Sequence, residues 1–140
     1  MKILDNKLYW IWGLFSYEEK LFLNRLQNEV RKVLVSPEFD THITIGGPYL
    51  EIDKLFFRRL EILSLKKASF FLDILKYDFK NEQFESFFIS VKNSEKIMNL
   101  RKNIEDLKKF ELERNYSPHI SLAYGNHERE EKKILISKLP

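Results

Sequence analysis

Hydrophobic and polar positions alternate along this chain in two rhythms, one of period two and one of period 3.6. Residues 8–14 (LYWIWGL) are apolar at both parities, which predicts a strand buried on both faces, with Trp10 and Trp12 on one side. Ser16 and Glu19 then stand at capping-box spacing, and Phe22, Leu26, Val30 and Val33 recur at helical intervals. A helix of about four turns follows, ending before Pro37. Residues 41–47 (THITIGG) alternate, with Ile43 and Ile45 on one face and His42, Thr44 and Gly46 on the other. This segment predicts a strand with one polar face, stopped by Gly46, Gly47 and Pro48. Ile52, Leu55, Phe56, Leu60 and Leu63 mark a second amphipathic helix.

Residues 70–77 and 84–91 are rich in Phe, Ile and Leu and flank a polar stretch, the pattern of a hairpin. Ser94 caps a helix with the stripe Ile97, Leu100, Ile104 and Leu107. Pro118 opens a last strand, residues 119–124 (HISLAY), and Gly125 and Asn126 turn the chain into a short charged helix near residues 128–136. The predicted order is β-α-β-α-β-β-α-β-α. Within it, HITIGGPYLEIDKLFFRRL and HISLAYGNHEREEKKILISKL follow one plan: histidine, apolar, hydroxyl, apolar, a small-residue turn, then a helix. Two similar halves place two similar strands face to face.

At 140 residues, with 44% hydrophobic residues and only four Gly and four Pro, the composition is that of one folded domain covering residues 1–140. No apolar run reaches membrane-spanning length, and Asp5, Asn6 and Lys7 fall where a secretion signal needs its apolar core. Cysteine is absent, so thiolate chemistry, disulfides and cysteine-type zinc sites are excluded, and a cytoplasmic location is expected. The net charge of +3 suits a phosphate-bearing ligand without marking a nucleic-acid coat protein.

The chemistry is carried by histidine. Two of the three histidines, His42 and His119, lie in strands with a hydroxyl two positions on, Thr44 and Ser121, so each pair projects to one side of its strand. A single His-x-Thr is ordinarily a half-buried histidine bonded to its neighbour; two copies on polar strand faces favour a site. Breaking a phosphodiester without a metal needs one group to take a proton from water and another to give one to the departing oxygen. Imidazole, with a pKa near 6.5, does either near neutrality. Hydroxyls beside it donate to the charged phosphate oxygens. A zinc site drawn from His42, His119, His127 or Asp40 lacks recognised ligand spacing, so no metal or other cofactor is expected. A Ser or Thr nucleophile fails because residues i and i+2 lie about 6.5 Å apart along a strand. Gly46-Gly47-Pro48 reads as a turn rather than a phosphate loop, and His127, at a helix start, reads as exposed.

These residues resemble the two-histidine phosphoesterase superfamily, whose members carry two His-x-Thr/Ser motifs, and within it the cyclic phosphodiesterase branch. LYWIWGL, FESFFISVKNSEKIM and SPHISLAY are similar to segments of that branch, and the likeness spans residues 8–133. The resemblance implies an α+β fold of two lobes, two antiparallel sheets with outer helices and a central cleft lined by both histidines. It implies metal-free opening of a nucleoside or RNA-terminal 2′,3′-cyclic phosphate to a 2′-phosphate, with His42 and His119 catalytic and Thr44 and Ser121 on the phosphate. Trp12 and Tyr124 match substrate-binding positions, against the alternatives of Trp12 as core filler and Tyr124 as turn packing. Strand parity puts Tyr124 on the face of Ile120 and Leu122, so a site role requires a bulge or a strand end. Relatives continue past the last helix, which leaves a monomer, or a dimer whose partner completes the shorter lobe. Two rival functions remain: cleavage of 2′,5′-oligoadenylate or a signalling nucleotide, and an RNA-end binding module without turnover.

Overall fold

Among the described residues nine elements form in the predicted order: β1 (Tyr9–Gly13), α1 (Tyr17–Arg31), β2 (Ile43–Tyr49), α2 (Lys54–Lys66), β3 (Ile74–Phe79), β4 (Phe87–Val91), α3 (Glu95–Leu107), β5 (His119–Ala123) and α4 (Arg129–Lys138). The computed structural model describes residues 8–112 and 115–140, so the stretch Asp5 to Lys7 lies outside the described residues. The fold is α+β. Among the described residues the strands form one open sheet in the order β1-β2-β5-β4-β3, with every neighbouring pair antiparallel.

One sheet therefore stands where two were expected, and its pairing shows why the sequence reads as two. β3, β4 and β5 are joined by ladders, as are β1 and β2. Between the two groups the only paired residues among those described are Ile43 and Ile120. The repeated halves meet at a one-pair seam.

The core lies on one face of this sheet. Leu23, Leu26 and Val30 of α1, Ile97 and Ile104 of α3 and Leu135 of α4 pack against Ile43, Ile45, Ile89, Val91, Ile120 and Leu122. Since strand side chains alternate, burying Ile43, Ile45, Ile120 and Leu122 under helices sends His42, Thr44, His119 and Ser121 to the opposite face.

Several local expectations change. β1 is an edge strand, and Tyr9, Trp10 and Trp12 remain exposed instead of being buried on both sides. β2 does not stop at Gly46 but runs on to Tyr49, which pairs with Tyr9. Gly46 is a packing glycine: a Cβ there would meet Ile104 Cγ2 and Ile11 Cγ1, each at 3.1 Å. Gly47 has φ 102°, and its Cβ would fall 2.8 Å from the Tyr9 carbonyl. Ser16 occupies the N-cap of α1 without a side-chain cap bond, whereas Asp53 accepts from the Phe56 amide at 2.7 Å and Ser94 from the Ile97 amide at 3.4 Å. Lys132, in a segment that reads as a charged surface helix, is buried, donates to the Lys80 carbonyl at 2.9 Å, and has its pKa lowered by that burial.

Candidate active site

The seam positions the two histidine motifs against one another. Continuing the antiparallel register from Ile43–Ile120 by one residue in each direction sets His42 beside Ser121 and Thr44 beside His119. The two motifs are thus related by a near two-fold axis through the Ile43–Ile120 pair. Directly opposed side chains start about 5 Å apart, and the two histidines, diagonal to each other, about 7–8 Å apart at Cβ. β1 and β4 extend the arrangement, since Trp12 pairs with Thr44, Ser90 with His119, and Phe88 with Ser121.

Both imidazoles are held in the same way. His42 Nδ1 lies 2.7 Å from the Asp40 carbonyl, and His119 Nδ1 lies 2.8 Å from the Ser117 carbonyl. A carbonyl only accepts, so each Nδ1 carries the proton and donates. Each Nε2 is thereby left for chemistry. The same i−2 carbonyl serves in both motifs, a repeat of geometry as well as of sequence.

Their surroundings differ. His42 is 5% exposed, with the Trp12 indole stacked on its ring at 3.5 Å and 10° and Phe39 edge-on at 6.3 Å. Burial lowers the His42 pKa below the usual 6.5; the Asp40 carbonyl bond opposes this, and the charge of His119 adds to the lowering. The shift favours the neutral form of the His42 ring. His119 is only partly buried, with Phe88 tilted against it at 5.1 Å.

The structure brings Trp12, His42, Thr44, His119 and Ser121 to one sheet face. Trp12 is 45% exposed, which removes the core-filler alternative. Ser121 is buried; its hydroxyl hydrogen-bonds with the Tyr124 phenol and lies 3.4 Å from the Phe84 carbonyl. Tyr124 reaches the site because β5 ends at Ala123, the strand end that parity required. Its ring stacks on Phe39 at 4.1 Å and meets Phe84 edge-on at 5.5 Å, and burial raises its pKa. Trp12, His42, Phe39, Tyr124 and Phe84 form a continuous aromatic wall. Phe39 escaped the sequence reading, since it lies in the irregular stretch before β2 with no periodicity to flag it.

His127 is not an exposed residue. Its ring is half-buried between the Ser86 hydroxyl, 2.8 Å from Nδ1, and the Val35 carbonyl at Nε2. The carbonyl fixes Nε2 as donor, so Nδ1 accepts from Ser86, and both nitrogens are engaged in structure. Among the described residues no three His, Asp or Glu side chains are grouped to share a metal ion, and no helix is long and apolar enough to cross a membrane. No family model matches this chain, and no curated protein matches it either.

Proposed function

We propose that this protein is a phosphoric diester hydrolase of the two-histidine type, opening a nucleoside or RNA-terminal 2′,3′-cyclic phosphate without a metal. The observation that carries the reading is the two-fold pairing of His-x-Thr with His-x-Ser across the Ile43–Ile120 seam, each Nε2 left free by the same carbonyl bond at Nδ1. In this reading the lobes are the β1–β2 and β3–β4–β5 groups with their helices, and the cleft lies on the sheet face that carries both motifs.

The neutral Nε2 of His42 takes a proton from water as the water oxygen bonds to phosphorus. The bond from phosphorus to the 3′ oxygen breaks, and protonated His119 donates its Nε2 proton to that oxygen, leaving a 2′-phosphate. The 2′ outcome follows the family resemblance. Thr44 donates to the non-bridging oxygens as charge accumulates, Ser121 does so by turning its hydroxyl from the Phe84 carbonyl, and Trp12 offers a ring face to base or sugar.

The test is turnover of a 2′,3′-cyclic nucleotide beside 2′,5′-oligoadenylate, with identification of the product. His42→Ala and His119→Ala should each lose at least about 10²–10⁴-fold in kcat, the value of one acid–base transfer. Full activity in either folded variant rules out the mechanism. Turnover confined to 2′,5′-oligoadenylate shifts the substrate, and tight binding of RNA ends with no turnover makes the domain a binding module.

A further inference from the structure

Thr44 sits on β2 and His119 on β5, yet these strands share a single pairing, so another contact must fix their separation. Two side chains act on the backbone of β2 at this place. The Tyr116 hydroxyl donates to the Thr44 carbonyl at 2.8 Å, and Arg101 Nη1 of α3 donates to the Ile45 carbonyl at 3.2 Å. The two are packed together: the Arg101 guanidinium carbon lies 3.5 Å from the centre of the Tyr116 ring, with the Phe110 ring 4.9 Å away on the same guanidinium. Tyr116 stands three residues before His119 in the segment that leads into β5. A bond from Tyr116 to Thr44 therefore ties the approach to one histidine to the strand bearing the other motif.

We propose that Tyr116 and Arg101 are positioning residues, a two-part clamp that holds Thr44 at a fixed distance from His119. The inference rests on the phosphodiesterase reading above. Neither residue touches the phosphate; they act through the Thr44–Ile45 backbone. A transition-state hydrogen bond is sensitive to displacements well below 1 Å, because misplacement by about 1 Å costs on the order of 10²-fold. Loosening the clamp therefore lowers kcat and leaves ground-state binding, set by the aromatic wall, nearly unchanged. Tyr116→Phe removes only the hydroxyl and keeps the ring under Arg101. Arg101→Lys keeps the charge and loses the planar group that spans ring and carbonyl.

The experiment measures kcat, KM and thermal midpoint on a 2′,3′-cyclic nucleotide for wild type, Tyr116→Phe, Arg101→Lys, the double variant, and His119→Ala. Tyr116→Phe and Arg101→Lys should each lose about tenfold in kcat, with KM within about twofold. The double variant should lose little more than the worse single one, because the two act as one unit. Unchanged kcat in both single variants, a loss confined to KM, or fully multiplicative losses overturns the clamp. Wild type no more active than His119→Ala would instead sink the phosphodiesterase reading. The two failures are therefore distinguishable, and Arg101→Lys serves if Tyr116→Phe does not fold.

Discussion

His42 holds its proton weakly because its ring is enclosed by Trp12 and Phe39, and the consequence has a definite sign. Its folded-state pKa lies below the unfolded value of 6.5, so between those two values the unfolded chain binds more protons and stability rises with pH. The contribution is complete above 6.5 and is lost as pH falls through the folded pKa. A histidine titration followed by NMR should place the His42 midpoint below 6.5, and a midpoint at or above that value would refute the burial argument. For the proposed enzyme, the acidic limb of kcat/KM should likewise fall below pH 6.5. Trp12 tests the neighbouring wall. With nearly half its surface in solvent, Trp12→Ala should raise KM about tenfold or more through lost stacking while moving the thermal midpoint little. A sharp drop in stability with unchanged KM would return it to a packing role.

At the scale of elements, a cap is made by geometry rather than by residue type. Asp53→Ala should cost about 1 kcal/mol, since the carboxylate satisfies the Phe56 amide, while Ser16→Ala should be close to neutral because Ser16 makes no such bond. Chemical denaturation of the two variants checks the contrast, and equal losses would contradict it. Ser16 and Asp53 look equally suited as caps in the sequence; only the path of the preceding chain separates them. The same divide runs through the fold. The strands bearing the histidines were legible because Ile43, Ile45, Ile120 and Leu122 alternate with polar neighbours, and that alternation also put the motifs on one face. Continuation of β2 through Gly46-Gly47-Pro48 was not, because the reason is a partner: β1 and α3 approach closely over glycine. His127 was misread for a related cause. Its carbonyl partner, Val35, lies 92 residues away, beyond the reach of any local pattern.

Among the described residues the strands form one sheet, with the core under helices on one face and the candidate chemistry on the other. In the proposed mechanism both proton transfers belong to imidazoles and charge stabilisation to hydroxyls, so no step calls for a divalent cation. Turnover of a 2′,3′-cyclic nucleotide should persist after exhaustive chelation and gain nothing from added magnesium, manganese or zinc. Activity lost to chelator and restored by one metal would overturn the mechanism with the fold intact.

The near two-fold axis through Ile43 and Ile120 makes the two histidine–hydroxyl pairs interchangeable as hardware: each has the same tautomer lock and the same hydroxyl spacing. Such a site has no built-in direction, and the motifs alone leave open which end of a phosphodiester faces which ring. Direction comes from the unequal apolar cover, heavy over His42 and light over His119. In the proposed mechanism, moving that cover across the seam would exchange acid and base without touching either motif, and by microscopic reversibility the same two groups with exchanged protonation states would catalyse ring closure, the net direction being set by the free energy of hydrolysis.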